Sequence, residues 1–287
     1  MQPSSSITRH SNANLLHDNA ARGSRLKSSE RHLQDVFSAV LEQVGREGYV
    51  AAEPVGVDVP LANQIGSSWD EWFLEASPTR YSFEAGSHSP SVRENKSSDD
   101  LRSDYKSILN DAYAQGGYAS PKSFLNRLSQ EQLATIQQVQ HLADPIQITN
   151  LSEEAALNLL LPPAAQIDAN QDGMVSIGAA QTVRFPDSQT PANVRDAWEA
   201  AVANVSPSDR FTYELMMTHV LSPFDSSGPS VPKPSSTEHF IEKANDWLSY
   251  LENFKSYMPI ERYHQDKTFW SSFRDKILNP PARGEMQ

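Results

Sequence analysis

Asp168, Asn170, Asp172 and Ser176 place side-chain oxygens at the first, third, fifth and ninth positions of the run Asp168-Ala-Asn-Gln-Asp-Gly-Met-Val-Ser-Ile-Gly-Ala179. Met174 offers its backbone carbonyl at the seventh, Gly173 allows a sharp turn at the sixth, and Val175 is aliphatic at the eighth. That spacing is the ligand pattern of a twelve-residue calcium-binding loop. A hard cation needs roughly six to eight oxygens, two of them normally from a bidentate Glu at the twelfth position. Here that position is Ala179. Two readings follow. One is a calcium site whose sphere needs a carboxylate such as Asp187 or Glu154 to finish it and which, without one, binds at about 10⁻⁴–10⁻³ M. The other is a turn in which Asn170 and Asp172 bond their own backbone and Gly173 takes positive φ. Pro162-Pro163, five residues before Asp168, stop any entering helix short of the loop.

No other spacing names a reaction. There is no Gly-x-Ser-x-Gly elbow, phosphate loop, dinucleotide fingerprint or His-Glu-x-x-His helix. No cysteine exists to serve as nucleophile, thiolate ligand or disulfide partner. His10, His17, His32, His88, His141, His219, His239 and His264 include no i, i+3 or i, i+4 pair, which excludes a helical zinc pair. Gly86-Ser87-His88-Ser89 reads as a solvated loop, and His219 as a core residue on an apolar helix face. Asp70-Glu71, Asp99-Asp100 and Glu153-Glu154 fall at predicted helix starts, where negative charge suits the dipole. The chain is therefore expected to be a non-catalytic interaction or regulatory protein that binds a protein partner, with calcium as the one cofactor in view. The competing reading is a hydrolase or transferase whose site is assembled from residues distant in sequence.

Charge narrows the partners. The 24 Lys and Arg against 36 Asp and Glu give −12, which repels nucleic-acid backbones. Residues 1–35 run the other way, with Arg9, Arg22, Arg25, Lys27 and Arg31 against Asp18, Glu30 and Asp35. No apolar stretch approaches the ~18 residues of a membrane span, and the first thirty lack a signal-peptide core. A soluble, cytoplasmic protein is expected. The hydrophobic fraction of 38% is low for a fully packed chain.

The elements that would position these residues are helical. Polar residues 1–29 are expected to be disordered. Leu33, Val36, Phe37, Val40, Leu41 and Val44 then form one buried stripe. Val55, Val57 and Val59 alternate as a short extended segment closed by Pro60. Further helices are predicted over 68–76, carrying Trp69, Trp72 and Phe73, and from Leu101 to Tyr113. Ser120-Pro121, the capping box Ser129 to Gln132, Ser152, Thr190-Pro191 and Ser206-Pro207 each open another. Residues 166–185 lack helical period and predict a small β-hairpin or extended element. Residues 222–236 read as a Pro/Ser-rich linker. Phe240, Trp247 and Phe254, then Trp270 and Phe273, form a C-terminal helical hairpin over 237–279 whose aromatic faces pack together. The expected fold is mainly α, seven to nine helices in a bundle-like domain over 30–221 plus that hairpin.

The order of Gly116-Gly-Tyr-Ala-Ser-Pro121, Leu128-Ser-Gln-Glu-Gln-Leu133, Leu142-Ala-Asp-Pro-Ile146, Leu151 to Pro162, the Asp168 loop, Phe185-Pro186 and Ala197-Trp198 resembles a group of proteobacterial proteins. Their shared loop is a degenerate EF-hand-like DxNxDG segment. The resemblance covers roughly Tyr105 to Met217 and implies a bacterial cytosolic setting, with no catalytic residues to carry over.

Overall fold

The computed structural model describes residues 6–80, 96–218 and 236–280, with side chains from residue 23 onward and not at 79. Among these residues ten α-helices and one two-stranded antiparallel hairpin make a mainly α protein. The count exceeds the expected seven to nine, although short helices such as α4 (Pro121–Leu125) and α6 (Glu153–Leu159) begin at the caps read for them. The chain divides into two compact units, Met1–Gly48 with Glu53–Gln166 and Ile177–Ala180, and Tyr49–Ala52 with Ile167–Ser176 and Gln181–Gln287. Residues 219–235, which hold His219 and nearly all of the expected linker, lie outside the described residues, as do 86–89.

In the first unit, α1 (Ser6–Gln43) packs along α2 (Leu61–Arg80), α2 along α3 (Ser98–Ala114), and α3 along α5 (Gln130–Val139). The helix expected from Ser29 instead begins at Ser6. Residues 6–22 contain neither Gly nor Pro, and Leu15, Leu16, Ala20 and Ala21 favour helix, so the turn anchored by the buried stripe propagates backward. Leu33, Val36, Phe37, Val40 and Leu41 are buried as their spacing predicts. The longer α2 places Asp70 in mid-helix rather than at a start, where it pairs with Lys106 at 2.5 Å.

Val55, Val57 and Val59 form no strand. The Gln64 Nε2 donates to the carbonyls of Gly56 at 2.9 Å and Val59 at 2.6 Å, bending the segment into a loop that leaves Val57 96% exposed. Alternation alone cannot make a strand without a neighbour to complete the ladder.

Capping follows the sequence more closely. Ser129 and Gln132 make both bonds of the capping box, Ser97 caps α3 and Ser152 caps α6. The capping-box helix, α5, ends at Val139. His141 turns to φ +53°, and the N–H groups of His141 and Leu142 close on the carbonyls of Gln138 and Gln137, a Schellman arrangement.

At the centre of this unit α6 is buried from Glu154 onward and ends at Leu159, just before Pro162-Pro163. Its last carbonyls have no helical successor to bond them. The Tyr105 hydroxyl is shared between Leu159 O at 3.1 Å and Leu161 O at 3.0 Å. Gln140 Nε2 donates to Leu161 O at 2.9 Å and to the Tyr105 hydroxyl at 3.1 Å, while its Oε1 accepts from Gln166 at 2.7 Å.

The hairpin joins β1 (Val175–Ile177) to β2 (Ala180–Thr182) through Gly178-Ala179. Gly178 has φ +57°, and a Cβ there would meet Leu142 Cδ1 at 3.0 Å, so both conformation and space call for glycine.

The second unit is built on rings. Helices α7 (Ala192–Val202), α8 (Pro207–Met217), α9 (Thr237–Phe254) and α10 (Ile260–Leu278) share one core. Trp198 meets Phe269 and Phe273 edge-on at 5.5 and 5.3 Å, and Tyr213 stacks on Phe269 at 3.8 Å. The C-terminal hairpin thus packs on α7 as well as on itself. Lys243 Nζ donates to Met217 O and Thr218 O at 2.6 and 3.2 Å, and Trp247 Nε1 to Met216 O at 3.2 Å, so α9 supplies the donors that end α8. Among the described residues no helix is long and apolar enough to cross a membrane.

The polar node of the first unit can be tested directly. Tyr105→Phe keeps the ring and leaves buried carbonyls short of a donor, which is expected to cost about 1–3 kcal/mol in urea unfolding at unchanged m. A loss indistinguishable from zero would show that the carbonyls need no such partner.

Candidate functional site

The Asp168 loop lies between a single 3₁₀ turn, Pro163–Ala165, and the β1–β2 hairpin. Neither flank is an α-helix, so the helix-loop-helix frame of a calcium hand is absent around it. Ala179, the would-be twelfth ligand, sits in the hairpin turn.

Three of the expected ligands converge, but on backbone donors. Asp168 is 5% exposed; its Oδ2 accepts from Gly173 N at 2.7 Å and its Oδ1 from Asp172 N at 3.2 Å. Asn170 Oδ1 accepts from the same Asp172 N at 2.9 Å, and its Nδ2 donates to Asp172 Oδ2 at 3.0 Å. Asp172 Oδ1 accepts from Met174 N at 2.8 Å. Successive Asx turns of this kind need left-handed backbone at Gln171, φ +57°, and Gly173, φ +85°. Ser176 is drawn into the hairpin instead, where its hydroxyl accepts from Gln181 Nε2 at 3.4 Å. Among the described residues no three His, Asp or Glu side chains stand where they could share a metal ion.

Behind the loop lies a polar layer that sequence inspection passed over. Ser188 accepts from Asp168 N through its hydroxyl at 3.4 Å and from Val50 N through its carbonyl at 2.8 Å. Arg195 Nη2 donates to Ala51 O at 3.2 Å. Asp187 Oδ1 accepts from Gln189 N at 3.0 Å and from the Thr190 hydroxyl at 2.7 Å. The signal was present in Asp187-Ser-Gln-Thr190-Pro191, an Asx turn leading into a helix, although Thr190 serves that turn and Pro191 occupies the cap position of α7.

A second feature stands at the joined ends of α9 and α10. Rings step outward from the core: Trp270 stacks on Trp247 at 5.9 Å, Trp247 meets Tyr250 at 5.7 Å, Tyr250 meets Phe254 at 4.6 Å, and Phe254 meets Tyr257 at 6.3 Å. Exposure climbs from 0% at Trp270 to 45% at Phe254 and 85% at Tyr257, with Ile260 at 53% beside them. The stripe expected to be core throughout is core on α9 as far as Leu251, and Phe254 beyond it is exposed. Towards the tip α8 meets the first turn of α10, through Asp209 to Arg262 at 2.6 Å.

Electrostatics at Asp168 follow from its burial, which pushes the carboxyl above the usual carboxylate range; the N–H groups of Gly173 and Asp172 oppose this, and the charges of Asp172 and Asp187 reinforce it. A carboxyl raised on folding stabilises fully below its unfolded value, near 3.9, and loses that contribution as pH climbs through the folded one. Asp168→Asn is therefore expected to be costliest in acid. Its deficit against the wild type, measured by urea unfolding across pH 3 to 7 (about four units around that value), should shrink as pH rises. A deficit that grows with pH would mean the carboxylate is held ionised, by those N–H groups or by a cation. No family model, curated protein or solved structure matches this chain.

Proposed function

We propose that this chain is a non-catalytic interaction protein that engages a protein partner through the apolar tip joining α9 to α10. The supporting observation is the outward run of packed rings, which backs Phe254 and Tyr257 with buried Trp247 and Trp270. Aromatic side chains held by their neighbours lose little freedom on binding, which is why such residues dominate the energetics of interfaces. A bacterial cytosolic setting belongs to the same proposal and is supported by the resemblance over Tyr105 to Met217 alone. Replacing Phe254 and Tyr257 together by Ser leaves the helices' buried faces intact. Capture from a native lysate should then lose its specific partner at least ten-fold, about 1.4 kcal/mol, with an unchanged far-UV spectrum. Identical partners on both proteins would sink the assignment of the tip.

Weak calcium occupancy of the Asp168 loop is a second reading, supported by the mutual repulsion of Asp168, Asp172 and Asp187, which a divalent cation would relieve. Because the loop oxygens already serve backbone N–H groups, a cation must compete with those bonds. Calorimetric titration is expected to give a Kd of about 10⁻⁴–10⁻³ M, lost in Asp168→Ala. Micromolar affinity, or no heat at several times that concentration, would refute the weak-site assignment.

A further inference from the structure

We infer that the α9–α10 tip is self-complementary and that its partner is a second copy of this chain, an inference that rests on the interaction reading of the same surface. The argument is the placement of charge around the apolar centre. At about 100° per residue, Glu261 lies to one side of Ile260 and Tyr263, three residues on, to the other. Lys255 Nζ sits over the Tyr263 ring at 4.6 Å, beside Lys267 and Glu252, so the flank opposite Glu261 carries a net positive charge. Phe254 and Tyr257 complete the apolar centre between the two signs.

In a two-fold contact residue i of one copy meets residue j of the other and j meets i, and only residues on the axis meet their own equivalents. An axis at Ile260 and Tyr257 lays these two against their equivalents and sets each Lys255 opposite the other copy's Glu261. Two ion pairs then border one apolar contact. A patch of one sign would repel its own copy, and a wholly apolar one would fix no orientation.

Area sets the strength. A fully exposed aromatic side chain contributes about 150–250 Å², so these partly exposed residues offer a few hundred, short of the roughly 800 Å² per partner of a stable complex. The net charge of −12 opposes association further. The dimer is therefore weak and reversible, with a Kd above about 10 µM.

Sedimentation equilibrium of the full chain from about 1 µM to about 1 mM tests this, with thermal unfolding of each variant as the check on folding. A monomer–dimer equilibrium is expected, weakened at least ten-fold by Tyr257→Ser. Lys255→Glu and Glu261→Lys should each weaken it as well, and the double exchange should recover most of the loss. A chain monomeric throughout overturns the inference, as does a dimer indifferent to these substitutions or a double exchange no better than the single ones. If the chain stays monomeric while the Phe254 and Tyr257 substitutions still abolish capture of a lysate protein, the tip binds a different partner and only the self-association falls. If neither occurs, both readings fall.

Discussion

A helix that stops in the middle of an apolar core leaves carbonyl oxygens with nowhere to go, and the first unit is organised around supplying their donors. Pro162-Pro163 end α6 where every neighbour is buried. Each unsatisfied buried acceptor costs about 1–3 kcal/mol, a large fraction of a domain's net stability. One hydroxyl from α3 and one amide following α5 meet the need, and because each reaches more than one acceptor they fix both helices against α6 in rotation as well as distance. The apolar stripes of α1 and α2 then pack around a centre whose geometry is already set by hydrogen bonds. Stripes alone would allow sliding; the node does not.

The second unit meets the same requirement with charge and rings. The ammonium of Lys243 ends α8, and buried Asp266 accepts from the Tyr213 hydroxyl at 2.7 Å and from Arg262 Nε at 2.9 Å. Arg262 reaches on to Asp209 at 2.6 Å, so α8 and α10 are tied at the polar border of their aromatic contact. Burial and the Asp266 carboxylate both push the Tyr213 phenol upward, keeping it a donor across the accessible pH range. The indole N–H groups of Trp198 and Trp270 have no partner among the described residues, a cost accepted for ring packing at the centre.

How far these features were legible in sequence depends on their range. Caps are local, so Ser129, Ser152 and Ser206 announced their helices correctly, and stripes such as Leu33 to Leu41 named their buried face. What depends on a distant neighbour was not legible. Val55 to Val59 have strand composition, yet no ladder forms there and Gln64 bends them outward. Phe254 continues the period of Phe240 and Trp247, but periodicity specifies a face of a helix and not how far along it a neighbour extends. At the Asp168 loop the sequence names which oxygens are present but not where they point. Where their lone pairs point depends on the left-handed turns at Gln171 and Gly173, which bring backbone N–H groups within reach first.

The run of rings from Trp270 to Tyr257 is also an optical path. Light absorbed by Tyr250 or Tyr257 lies within a few ring contacts of Trp247 and Trp270 and passes to them by resonance transfer before it is emitted. The buried indoles thus radiate for the exposed phenol. Whatever covers or quenches Tyr257 alters the yield of tryptophan emission excited through tyrosine, while emission excited directly at the red edge of the indole band stays nearly constant. Against the background of the other tyrosines, the ratio of the two carries a contribution from the surface tip, with no label attached.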